Sequence, residues 1–427
     1  MHVKGAGLEA KGGYSALSRS YISTIRCFNF IVLSIPSGPS ISGELPNSTF
    51  FKIGLAVDYD SNGYRGLLPF AMNDISVMNA MLAVAASHYS RWQNTTDVES
   101  QNYLKNSISG LQEKIRIPAK AREPTTILCM LLLVTHEIFA GSIRCIEHYN
   151  AIRRWVESQD CSNISPFVKT WICMLDIQSA LNTGNPILRE LHGWLNEPFT
   201  PADEETVFID PLFGCRVDLL KTLSAASELF SKIEKGKELS REAFFELQSL
   251  QRRIKATQIK DSTKPLLQVV CHGETGRTYD PISLGLNTWE ITTRVVATAE
   301  IYRHAAHIYV HRIAYDLTER ALDSSISSSV SEALRLLTLV PDAIGPGAGL
   351  GWCLVVIGSE IDSQDQRKYI RSRFHMLHSL GVNSTRSAER VLEEVWNQRD
   401  MELRGDIQRL VRYQDAMREL GELHVLV

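Results

Sequence analysis

The chain has 427 residues, 44% hydrophobic and 22% charged, and 45 Lys and Arg against 48 Asp and Glu leave a net charge of -3. That length buries a sizeable core with room for two or three domains, and the composition is ordinary for a soluble globular protein. The charge balance excludes bulk electrostatic attraction to nucleic acid, and no stretch reaches the ~18 uninterrupted apolar residues of a membrane span.

Residues 1–60 differ from the rest: they are rich in Gly, Ser and Pro, sustain no helical period and read as a poorly ordered segment. The short apolar run 27–35 has the character of a signal core. It starts far from Met1, however, and lacks a compact basic flank.

From Gly66 the pattern is helical almost without pause. Residues 72–92 carry Met78, Met81, Leu82, Ala85 and Tyr89 on one side, with Asn73 or Asp74 as the cap. A second helix, 103–117, is stopped by Pro118, and Pro124 opens a third. The body of the third, 127–139, is apolar nearly all round, which predicts a central buried helix ending at Gly141. Helices at 146–157 and 166–181 follow, then a proline-bearing connection, 186–206. Asp210-Pro211 is expected to start an amphipathic helix through Phe213, Val217, Leu220 and Phe230 to Gly236, and Ser240 to cap another running to about Lys260.

After a polar turn region, 261–280, comes the stretch around which the chain is organised, residues 289–317. Its apolar residues Ile291, Val295, Ala299, Tyr302, Ala306, Tyr309 and Ile313 recur at helical spacing on one face. Four more helices are expected at 329–339, 351–361, 364–380 and 385–399, with a charged terminal helix from Met401 to about Gly421. No strand alternation and no fixed repeat is present, so the fold class is all-α: about a dozen or more packed helices over residues 61–427.

Several motifs invite chemistry and fail on inspection. In the glycine run Gly345 to Gly351, Leu350 and Trp352 stand where a dinucleotide fingerprint needs its third glycine, and Pro346 removes an amide. The run reads as a tight turn between helices. Residues 273–278 echo a phosphate loop, but Arg277 replaces the lysine and Cys271 the first glycine. The basic spots 116–122 and 252–260 read as solvated helix faces. The eight cysteines include no C-x-x-C pair and suit buried thiols in a reducing compartment. Glu300, His304, His307 and His311 share one helix face and offer zinc-type ligands. One helix rarely wraps an ion tetrahedrally, so the reading is a polar face of hydrogen-bonded histidines with no metal. No acid, base or nucleophile is placed as a catalytic set, so no catalytic residue is expected and the chain is not read as an enzyme.

Five segments in order resemble the fungal-specific transcription factor domain of the second type, the regulatory half of many fungal binuclear-zinc-cluster activators. They are Tyr64 to Phe70 running on to Met81 to His88, and Leu131 to Gly141 followed by His148 to Arg154. Then come Asp210 to Gly214, Ala299 to Ala306 with Tyr309 to Arg312, and Gly351 to Glu360 paired with Val391 to Trp396. The resemblance spans roughly residues 60–400. It implies an all-α regulatory domain in the nucleus that acts by contact with the transcription machinery, a zinc-cluster paralogue, a second copy of itself as a homodimer, or a small effector. A scaffold using the same domain is the alternative. Shared Arg303-His304-Ala305 implies a structural role for His304. Such regulators usually carry a six-cysteine zinc cluster that reads DNA, whereas only Cys27 lies in the first 100 residues here. The expectation is therefore a chain reduced to its regulatory domain, without zinc or other cofactor and without specific DNA binding of its own.

Overall fold

A computed structural model describes residues 63–64, 66–195, 207–210, 212–236, 241–259, 267–271, 274–276, 288–314, 324–341, 345–347, 349–404 and 412–422. The segment 1–60 lies outside the described residues. Among the described residues sixteen α-helices carry the fold, as the all-α reading requires.

The first layer is built from α1 (Leu67–Asn73), α2 (Ile75–Trp92), α3 (Val98–Arg116), α4 (Pro118–Ala121), α5 (Pro124–Ala140) and α6 (Cys145–Ser158). Asp74 separates α1 from α2: its extended backbone breaks the helix, and its carboxylate accepts from the amides of Ser76 and Val77. Burial raises the carboxyl's pKa, and the ammonium of Lys114, with Thr125, outweighs it, so Asp74 sits below its ordinary range. The expected all-round burial of α5 is present, with every residue from Ile127 to Val134 out of water. Gly141 ends it at φ 69°, a left-handed conformation, and a side chain there would meet the Asn383 carbonyl at 3.0 Å. Asn383 donates its amide to the Phe139 carbonyl at 2.9 Å, tying the end of α5 to the C-terminal helices.

The second half is organised by α11 (Thr288–Ala314). Around it lie α7 (Pro166–Thr183), α8 (Arg189–Leu195), α9 (Val217–Gly236), α10 (Arg241–Ala256), α12 (Ser324–Leu337), α13 (Gly351–Gly358), α14 (Gln364–Ser379), α15 (Ser384–Arg404) and α16 (Tyr413–Leu420). The expected apolar face of α11 is buried from Val295 to Ile313. Ala297, Ile301, Ala305, Ile308 and Val310 are buried as well, so the helix is covered on most of its circumference.

Every residue of α13 is buried, and its one polar side-chain donor is satisfied through a relay. Trp352 Nε1 donates to the Tyr413 hydroxyl at 3.2 Å, and that hydroxyl donates to the Leu181 carbonyl at 3.1 Å. Trp352 also stacks on Tyr302 and meets Tyr309 edge-on, with ring centroids 6.2 and 5.9 Å away. One apolar cluster runs through all of this, from Tyr64 to Met417.

Several expected boundaries move. The helix expected from Asp210 begins at Val217 instead. Asp210 Oδ1 accepts from the amides of Leu212 and Phe213, both at 2.9 Å, and Gly214 sits at φ 73°, so a turn forms where a helix was expected. Burial pushes the Asp210 carboxyl up to about 7 against the pull of those two amides. The connection 186–206 contains α8. The terminal helix is divided, since Met401 to Arg404 finish α15 and α16 starts at Tyr413. Three short strands also form one sheet: β1 (Val207–Ile209) runs parallel to β2 (Leu267–Cys271), which runs antiparallel to β3 (Glu274–Gly276). Strands of three to five residues are too short to show period-two alternation in sequence.

The relay gives a direct test. Tyr413→Phe keeps the ring but leaves the Trp352 N–H without its acceptor, while the Leu181 carbonyl keeps the Gln414 side-chain amide at 3.3 Å. It is expected to cost roughly 1–3 kcal/mol in urea unfolding of the full chain, and Trp352→Ala roughly 3–5 kcal/mol. A neutral Tyr413→Phe change removes the relay from the account.

Candidate functional site

A cleft of about 750 Å³ runs between α11, α12 and the end of α10. Its α11 wall is Thr293, Val296, Ala297, Glu300, Arg303 and His304, spaced by three and four so that one helical face is presented. Ser328, Ser331, Glu332, Arg335 and Leu336 form the α12 wall by the same spacing, and Leu339, Gln258 and Ile259 close the rim.

Its charged groups are arranged in pairs. Glu300 accepts from the Ile259 amide at 2.8 Å and from Arg303 Nε at 2.7 Å. Arg335 makes two bonds to Glu332, at 2.8 and 2.6 Å, and this pairing holds the Glu332 carboxyl below its ordinary range and the guanidinium above its own. His304 is 9% exposed, and burial, reinforced by the Arg303 charge, pushes its imidazole down to about 4. The ring is therefore neutral near pH 7. Arg303 Nη2 lies 2.8 Å from His304 Nε2, and a guanidinium can only donate, so Nε2 accepts and the ring proton sits on Nδ1. That N–H is buried and has no protein acceptor.

The four residues that suggested a metal face divide into two pairs: Glu300 and His304 share Arg303, and the His307 and His311 rings lie 4.3 Å apart by centroid. Glu300 closes the end of α10, and His304 takes the Arg303 bond in the cleft. His307 Nδ1 meets Ser329 of α12 at 3.0 Å, and His311 Nε2 meets Gln251 of α10 at 3.4 Å. Eleven positions along a helix advance about 16 Å, which is why a shared face does not make a shared ligand sphere. Among the described residues no three His, Cys, Asp or Glu side chains come together in an arrangement that could hold a metal ion.

A second, far smaller space of about 30 Å³ lies where Phe230, Tyr309, Arg312, Glu360, Arg399 and Arg412 meet. It has room for water and not for an organic ligand. Arg312 grips Glu360 at 2.7 and 2.5 Å, and Arg399 bridges Glu360 and Asp362. The glycine run shapes no phosphate cradle. It turns its carbonyls toward α11, where Thr298 donates to Pro346 at 2.9 Å and Tyr302 to Gly349. Among the described residues, Cys129, Cys145, Cys161, Cys173, Cys215 and Cys353 are buried and form no disulfide. Burial pushes the Cys129 and Cys161 thiols up to about 11, against nucleophilic use.

The model of the fungal specific transcription factor domain matches residues 49–425. The chain belongs to that family. No curated protein and no solved structure matches it. The family is one of transcription-factor domains rather than of enzymes, and the five segments that carried the resemblance all lie within the matched region. Two of them, Ala299 to Ala306 and Asp210 to Gly214, meet at Gly349, which accepts from Tyr302 and lies against the carbonyls of Leu212 and Phe213. Among the described residues no helix is long and apolar enough to cross a membrane.

The expected helix 329–339 holds Ser331, Glu332, Arg335, Leu336 and Leu339 of the second wall, but the earlier start of α12 at Ser324, which brings in Ser328, was not expected. The signal was there in Ile326, Val330, Ala333 and Leu337, which keep helical spacing and are buried, leaving Ser328 and Ser331 facing outward.

For His304, an NMR titration is expected to give a midpoint near 4 and the Nδ1–H tautomer at neutral pH. Arg303→Met should raise the midpoint and leave it below the ordinary imidazole value, because burial is the larger cause. A folded-state pKa below the unfolded one means stability is lost as pH falls from about 6.5 toward about 4. A midpoint near 6.5 would contradict this environment.

Proposed function

We propose that this chain is a fungal regulator of RNA polymerase II-type transcription, working in the nucleus through its all-α regulatory domain over residues 61–427. The observation that carries this reading is the family match across residues 49–425. The domain acts by contact: with proteins of the transcription machinery or a zinc-cluster paralogue, with a second copy of itself, or with a small effector, for which the α11–α12 cleft is the place. No metal, cofactor or chemical step is part of the proposal. The charged residues of the cleft are committed to one another, which supports a binding role over an acid–base one.

The same reading has these 427 residues binding no DNA sequence specifically. Reading bases needs an element that enters a groove, with cations to neutralise phosphates. The net charge is -3, and no cysteine pair has the spacing of a zinc module. The basic spot 116–122 is exposed at Arg116, Lys120 and Arg122, enough for salt-sensitive non-specific contact only. Selection from a random duplex pool with the purified chain at near-physiological salt is expected to return no consensus. Adding a full-length zinc-cluster paralogue is expected to produce or alter a mobility shift through protein contact. A consensus enriched by the chain alone, resistant to competitor DNA, would overturn the reading. If the paralogue changes nothing, the scaffold alternative gains.

A further inference from the structure

We propose that the α11–α12 cleft binds an uncharged, amphipathic small molecule bearing carbonyl or hydroxyl oxygens. This names the ligand class of the effector contact above and rests on that reading for its regulatory consequence, not for the binding itself.

Size comes first. A cleft of about 750 Å³ lies within the range that encloses a drug-sized molecule. Charge comes next. Each cationic group on the walls has its own carboxylate, Arg303 with Glu300 and Arg335 with Glu332. Glu300 also holds the Ile259 amide, so releasing it would leave a backbone donor at the end of α10 unpaired. A charged ligand would lose hydration and find no uncommitted counter-charge. His304 is neutral near pH 7 and adds no cation.

The uncommitted hydrogen-bonding groups decide the chemistry. The Gln258 amide and the hydroxyls of Thr293, Ser328 and Ser331 line the cleft, and among the described residues none of the four makes a side-chain hydrogen bond. Amides and hydroxyls both donate and accept, so they suit neutral oxygens and offer no preference for an ion. His304 lines the same wall as a neutral ring whose Nε2 is taken by Arg303. Between these groups the surface is aliphatic, from Val296 and Leu336 to the exposed Leu339, which suits an apolar body.

A ligand seated here touches both helices. α12 is already pinned to α11 by the His307–Ser329 bond near one end of the cleft, and a bridging ligand would fix the two along its length. Binding would therefore stabilise the folded domain in proportion to occupancy.

The test uses the full chain and three probes of one shape and different charge: 4-butylbenzamide, 4-butylbenzoate and 4-butylbenzylamine. Each is titrated calorimetrically and by ligand-observed NMR. The expected result is saturable one-to-one binding of the amide, at least about tenfold tighter than either charged probe. Ser331→Trp and, separately, Ser328→Trp fill the cleft from exposed positions and should weaken the amide at least about tenfold. Asn102→Trp, exposed on α3, should leave it unchanged. Circular dichroism confirms that each variant is folded, and two blocking variants keep the test independent of either one. Three outcomes overturn the proposal: no binding of the amide up to its solubility, a charged probe binding as tightly, or amide binding that survives both tryptophans. None of these touches the DNA selection, so the ligand class and the regulatory reading fail separately.

Discussion

Trp352 holds this structure together. It sits in an eight-residue helix with no side chain in water, so every neighbour must present apolar surface and every polar atom inside must find a partner. Its indole N–H is satisfied through the Tyr413 hydroxyl and the Leu181 carbonyl, joining α13, α16 and α7 across more than 200 residues of sequence. Its ring lies against Tyr302 and Tyr309 of α11. The long helix is thereby fixed in place, and with it the wall of the cleft that α11 carries.

Around that apolar centre the charged groups act as fasteners between helices. Arg367, 2% exposed, reaches the Ile361 carbonyl at 3.0 Å and both oxygens of Asp400 at 2.9 Å, while its guanidinium lies over Trp396. Trp396 in turn donates to the Gly358 carbonyl at 2.8 Å, satisfying the end of the buried helix. Arg312, Glu360, Arg399 and Asp362 form a second network on the same side. In the cleft the same pairing matches Arg303 with Glu300 and Arg335 with Glu332.

The fold was legible where one local signal dominated. The all-round apolarity of Ile127 to Phe139 announced a buried helix and Gly141 its end, Asp74 announced the start of α2, and the spacing from Val295 to Ile313 announced α11. Legibility failed where a tertiary or side-chain contact overrode the pattern. Asp210 looked like a helix start, but its carboxylate captured two amides and closed a turn. The sheet pairs residues 207–209 with 267–269, a register that no local window contains. The four-residue histidine face was real as a periodicity, yet α10 and α12 approach it at different heights and divide it. Most of both cleft walls lies in expected helices, but the space between them depends on where α12 docks, which no local pattern shows.

The regulatory claim is tested most directly by tethering. The full chain is fused to an unrelated DNA-binding domain in a fungal strain that carries the matching reporter, and reporter transcript is compared with the DNA-binding domain alone. A domain that works by contact needs only to be brought to a promoter, so transcript should change severalfold with the fusion and not with the untethered chain. A fusion that is nuclear and folded yet leaves transcript at the level of the DNA-binding domain alone would contradict the account.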